Sequence, residues 1–214
     1  VCRDRLLFEC GIPENAITVI HNFVDLERFQ PRSSLPLQPL RALIFSNYAN
    51  EQSHLPVISR ACEQLEIELS VVGAGSGNPV ARPELELGKY DLVFAKGRSA
   101  LEALAVGAAV VLCDGTGVGP MVTTDNLSQL RSLNFGVRNL QYPLNPEVLI
   151  REISRYDATN AAEVSAQVRA TAGMDQAVDR LLALYETVIE EHREKGSASG
   201  REDQMAAARY LQKQ

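Results

Sequence analysis

Lys96, Gly97, Arg98 and Ser99 stand together where an apolar run ends and a helical pattern begins, and Glu102 follows three residues after Ser99. The first amides of a helix have no partner within it and favour anions, and Lys96 and Arg98 would add charge-assisted bonds beside them. That is chemistry suited to phosphate. Gly97 lets backbone amides come close to such a group, and Ser99 offers one more donor. A second glycine-rich stretch, Asp114 to Pro120 with Gly115, Gly117 and Gly119, follows the next apolar run. A third, with Gly73, Gly75 and Gly77, closes an earlier one. Loops of this kind facing one crevice suggest a nucleotide.

Each of these residues also has a plainer reading. Ser99 to Glu102 spells a capping box, in which the carboxylate serves only the helix start. Lys96 and Arg98 can form a solvated cationic edge, and the glycines can simply turn the chain. His54, beside a helix start, reads as a surface or capping residue, and His21 as structural.

The elements that must position these groups follow from periodicity. Strands are expected at 17–20, 40–46, 67–72, 90–95 and 109–113. Helices are expected over 2–10, 54–65, 99–106, from Thr124 or Asp125 to about Leu133, and over 146–156, 161–172 and 175–194. Pro56 is tolerated in a first helical turn, and Gly107 ends the helix that carries Glu102. Alternating strands and helices imply a doubly wound, mostly parallel Rossmann-like sheet, whose ligands sit beyond the carboxyl ends of the strands. Three segments are expected: an interdomain linker and lead-in over 1–39, a nucleotide-sugar-binding α/β domain over 40–194, and a flexible tail over 195–214, with a weak helix from Glu202 to Lys213.

Composition narrows the function classes. The chain has 214 residues, 45% of them hydrophobic, and a net charge of −6, which disfavours a broad surface for nucleic acid. No apolar run approaches the roughly 20 residues of a membrane span. Cys2, Cys10, Cys62 and Cys113 show no metal-ligand spacing and read as reduced thiols of a cytoplasmic protein. Asp-x-Asp is absent, so no metal clamp on a diphosphate is expected. The carboxylate pairs at 25/27, 66/68 and 84/86 read as solvated.

Two segments carry a family resemblance. Val19 to Phe29, with Asn22, Val24, Asp25 and Phe29, resembles the "Asn-Gly-Val-Asp, then Phe" segment that joins the halves of retaining glycosyltransferases of the B-type fold. Leu101-Glu102-Ala103-Leu104-Ala105-Val106-Gly107-Ala108-Ala109-Val110-Val111 resembles their "Leu-Glu-Ala-Met-Ala-x-Gly-x-Pro-Val-Val" segment. The order and distance of the two agree, and about residues 1–190 resemble the donor-binding half of a group 1, family 4-like enzyme.

The resemblance implies a hexosyltransferase-like activity without metal or cofactor, with a nucleoside-diphosphate sugar as donor substrate. An acceptor glycan or lipid would be held by an N-terminal half outside this chain, through which the protein could sit peripherally on a membrane. Glu102 would hold the ribose hydroxyls, Gly97, Arg98 and Ser99 the diphosphate, and Lys96 the leaving-group charge. Gly73, Gly75, Gly117 and Gly119 would line the nucleotide, with 115–122 reaching the base or sugar. The chain departs from the family twice. Phe94 stands eight residues before Glu102, where the family carries its first glutamate, and Asn47 to Gln52 replace the usual Arg and Lys. The alternatives are a silent nucleotide-sugar-binding or scaffolding domain, and a sugar epimerase of the same fold.

Overall fold

The computed structural model describes residues 2–195 and Met205, so the expected tail lies almost wholly outside the described residues. The chain divides into two compact units, residues 1–174 and 175–214. In the first, strands β1 (Arg41–Phe45), β2 (Glu68–Val72), β3 (Leu92–Ala95), β4 (Ala109–Asp114) and β5 (Gly117–Met121) form one sheet in the order β2-β1-β3-β4-β5. The first four are parallel and β5 is antiparallel to β4. Its helices, in chain order, are α1 (Cys2–Asp4), α2 (Leu55–Gln64), α3 (Pro83–Glu86), α4 (Gly97–Val106), α5 (Leu127–Ser132), α6 (Pro146–Ile153) and α7 (Ala158–Thr171). The described part of the second unit is the continuation of α8 (Met174–Lys195), with Leu181, Leu182, Tyr185, Val188 and Ile189 at helical spacing.

Alternation along the strands sorts side chains to two faces. Leu43, Val93, Ala95, Val110 and Leu112 join Leu101 and Leu104 of α4 and Val164 and Val168 of α7 in one core. Ala42, Ile44, Leu92, Phe94 and Val111 join Ile58 and Ala61 of α2 and Leu149 and Ile153 of α6 in the other. This is the expected α/β doubly wound architecture. Cys62 and Cys113 are buried in the second core, and burial pushes the Cys62 thiol up to about 12.

Several local expectations are corrected. Residues 17–20 form no strand, because the described structure gives them no ladder partner; only Val24 bridges, to Gly173. The helix at 2–10 is one short turn continued by a wide turn over Arg5–Glu9, and stops at Gly11 with φ +67°. Helix α5 starts later than expected, at Leu127, because Asn126 Oδ1 accepts from Thr123 N and holds 123–126 as a turn. Beyond Asp114, the last residue of β4, the glycine-rich stretch is a two-residue turn, Gly115–Thr116, followed by the strand β5.

The lead-in is built into the first unit. Val24 and Phe29 are buried, and Val24 N donates to Ala172 O. Arg32 donates to Tyr90 O and to Asp91 Oδ1 at 2.9 Å, while Asp91 Oδ2 accepts from the amides of Leu40 and Arg41. This buried pair pins the segment at the amino ends of β1 and β3.

Candidate functional site

Helix α4 opens directly after β3, at the carboxyl edge of the parallel sheet. Lys96 is its N-cap residue in extended conformation, and no side chain caps the helix. Gly97 has φ +61°, and a side chain built on it would meet nothing within 4 Å. Its amide donates to Phe135 O at 2.8 Å, so the amides of Arg98 and Ser99 are the ones presented to an anion. At the other end Gly107, φ +98°, closes the helix by donating to Ala103 O and Leu104 O.

The capping box does not form. Ser99 lies inside the helix, and Glu102 instead accepts from Arg98 Nε at 2.9 Å, one turn before it. Glu102 is 7% exposed. Burial raises its pKa above the usual carboxylate value, against the opposing pull of Arg98 and Arg28. Next to it Glu84, whose side chain is also buried, takes Arg28 at 3.0 Å and Arg82 at 3.1 Å. The reading of 84/86 as a solvated pair is therefore wrong at Glu84, because two guanidinium groups allow the carboxylate to be buried.

Lys96 is partly exposed but is not a free cationic edge. Its ammonium pairs with the carboxylate of Asp114 at the end of β4 and lies 5.9 Å from the Tyr48 ring centroid. Thr116 completes the set, its N and Oγ1 each donating to Asp114 Oδ1 at 2.6 Å. Burial alone would raise the Asp114 pKa, but the bonds from Lys96 and Thr116 outweigh it and hold the group below its usual value. His54 is no surface residue: it is 1% exposed and stands at the N-cap position of α2 without a side-chain cap bond.

Four of the other glycines stand in close contact with neighbouring backbone. A side chain on Gly73 would lie 2.0 Å from Ser46 O, and one on Gly75 2.7 Å from Asn47 O. Their absence lets the loop after β2 nest against the loop after β1, where Gly75 N and Ala74 N donate to the backbone and side-chain oxygens of Asn47. Gly117 and Gly119 lie within β5, where added side chains would strike Tyr142 O at 2.8 Å and Asn139 O at 2.6 Å. Of the glycine stretches, 73–77 and 115–116 stand at strand carboxyl ends as expected. Gly117, paired with Asp114 at the start of antiparallel β5, shares that edge of the sheet, and Gly119 lies two residues further in.

The structure thus brings Lys96, Gly97, Arg98, Ser99 and Glu102 to one strand–helix junction. It adds Asp114, Tyr48, His54 and the Arg28–Glu84–Arg82 cluster, which the sequence reading had not singled out for the site. Asp114 carried a signal, since a polar residue directly after a strand stands at the ligand edge of such sheets. Phe94 is 1% exposed and points into the core with Ile44 and Val111. No carboxylate reaches the cleft from that position.

No family model and no curated protein sequence matches the chain. Among solved structures, the chain is similar to the crystal structure of a glycosyltransferase from Rickettsia africae ESF-5, with a TM-score of 0.59 and 16% identity, over 88% of this chain and 61% of that one. The chain spans about three-fifths of that protein's length, and the likeness is one of Rossmann-like α/β fold.

Proposed function

We propose that the chain is the nucleotide-sugar-binding half of a retaining, metal-independent glycosyltransferase of the B-type fold, acting in the cytoplasm with an acceptor held by a second half. The observation that carries this reading is the uncapped start of α4, with Lys96 at the N-cap, Gly97 open and Glu102 in the next turn. The diphosphate would rest on the amides of Arg98 and Ser99, with the Lys96 ammonium beside it. Glu102 Oε1 is engaged by Arg98, and Oε2 would accept from a ribose hydroxyl. In transfer the bond between anomeric carbon and diphosphate oxygen breaks, the acceptor oxygen bonds to that carbon, and the acceptor proton passes to the departing diphosphate. Fixed positive charge then stabilises the departing diphosphate.

A second reading, a binding domain without transfer activity, is favoured by Phe94: the position eight residues before Glu102 is sealed in the core. Titration of the chain with nucleoside diphosphates and their sugars tests what the readings share. A ligand at 100 times its Kd should add about 2.7 kcal/mol of stability. If no nucleotide shifts the melting curve, both readings fail. Donor turnover by the full-length protein then separates enzyme from binder.

A further inference from the structure

His54 is a buried polar group without a task in the resting structure. Its ring is closed off from solvent, and neither Nδ1 nor Nε2 has a hydrogen-bond partner. Buried polar atoms are ordinarily paired, so an orphaned imidazole asks what it pairs with in another state. The ring lies at the start of α2 and faces the β4–β5 turn: a side chain on Gly115 would sit 3.9 Å from Nδ1. The neighbouring residue in that turn is Asp114, whose carboxylate is occupied by Lys96 and Thr116. The charges that act on the ring are Asp114, from β4, and Lys96, from the β3–α4 junction. Burial first, and then Lys96, keep the ring below the usual histidine pKa, against Asp114.

We propose that Asp114 changes partners when a diphosphate fills the cleft: the Lys96 ammonium turns to the phosphate oxygens, and His54 takes a proton from water and donates a hydrogen bond to the carboxylate that Lys96 leaves. The proposal rests on the diphosphate reading of the site. Lys96 is placed for the exchange, partly exposed and standing at the N-cap of the helix whose amides would hold the anion. A buried carboxylate stripped of its cation is costly, and His54 is the neighbouring group with unused bonding capacity. Departure of a cation and arrival of an anion both favour the imidazolium. The bound-state pKa therefore lies above the free-state one, binding takes up a proton, and affinity weakens as pH rises through the bound-state pKa. The slope approaches about tenfold per pH unit. His54 is a positioning residue, acting through Asp114 on Lys96.

The test uses the intact chain with UDP-glucose, GDP-mannose and ADP-glucose, whose diphosphates are diesters and do not titrate near neutral pH. Calorimetry in buffers of different ionisation enthalpy should give an uptake approaching one proton per ligand bound. With ring-labelled histidine, one of the chain's three histidines should pass from the neutral to the imidazolium pattern on saturation. His21→Asn and His192→Asn, which leave the His54 signal in place, assign it without altering the ring in question. His54→Asn should bind the same ligand without uptake and with a flat pH profile. A bound donor without proton uptake, uptake that persists in His54→Asn, or a change at another histidine would overturn the exchange and leave the diphosphate reading standing. Absence of binding by every donor would overturn both.

Discussion

Glu102 is held where stability alone would not place a carboxylate: nearly buried, with burial raising its pKa and one long arginine as its direct partner. Glu102→Gln should therefore leave the melting temperature unchanged or raise it. Under the proposed function the same change weakens nucleotide binding about ten- to hundredfold, since a charged hydrogen bond contributes roughly 1.5–3 kcal/mol. Parallel melting and titration read both; unchanged affinity would remove the ribose role. Lys96→Ala with Arg98→Ala should weaken a nucleoside diphosphate far more than its parent nucleoside, and equal losses would point to a collapsed loop. His54 contributes a pH dependence to stability. Its folded pKa is below the unfolded value of about 6.5, so its neutral burial supports the fold above that value and the support is lost as pH falls through the folded pKa. Acid melting curves of wild type and His54→Asn should converge on acidification. Lys96, Gly97 and Glu102 were legible because they are neighbours in sequence with local helical logic. Asp114 was legible only as a polar strand end, and its juxtaposition with His54 was not, since that depends on a strand end meeting a helix start some 60 residues away.

At the scale of elements, glycines divide by what stands opposite them. Gly97→Ala adds a methyl to open space and is opposed only by its positive φ, a cost of about 1 kcal/mol. Gly119→Ala drives a methyl into backbone and the Leu112 side chain, a cost of about 1–3 kcal/mol or more. Denaturant midpoints should rank Gly119→Ala well below Gly97→Ala; the reverse order would mean that β5 yields. The Arg32–Asp91 pair behaves differently again, because removing one partner strands a buried charge. Arg32→Leu should cost about 3–5 kcal/mol and loosen the lead-in, read by hydrogen exchange at Leu40 and Arg41. Sequence periodicity located the four parallel strands and helices α2, α4, α6, α7 and α8 to within a few residues. It lost β5, whose Gly-Val-Gly-Pro-Met composition denies it a strand signature, and it lent residues 17–20 a strand that no neighbour pairs.

For the whole molecule, the ligand edge of one sheet is the candidate cleft, while under the proposed function the acceptor would be held outside these residues. The isolated chain should then bind a nucleotide sugar and transfer nothing, since a donor held without an acceptor gains no proximity. Acceptor glycosylation by the 214-residue chain, above a heat-killed control, would place both sites here.

The hairpin turn at Gly115–Thr116 has a further effect, in time rather than in space. The parallel strand pairs must each wait for a helix to fold between them or for distant segments such as 42 and 92 to meet, whereas β4 and β5 are joined by two residues. Hairpins close in about 1–10 μs, and long-range parallel pairing is far slower. The β4–β5 hairpin is thus the natural starting point for assembly, and Asp114, which ties the turn through Thr116, belongs to that nucleus. Asp114→Ala should slow refolding more than it speeds unfolding, as stopped-flow chevrons would record; an effect confined to the unfolding limb would exclude it. The carboxylate that holds Lys96 would then also set how fast the protein is made, so that variants at this position lose folded yield before any ligand is offered.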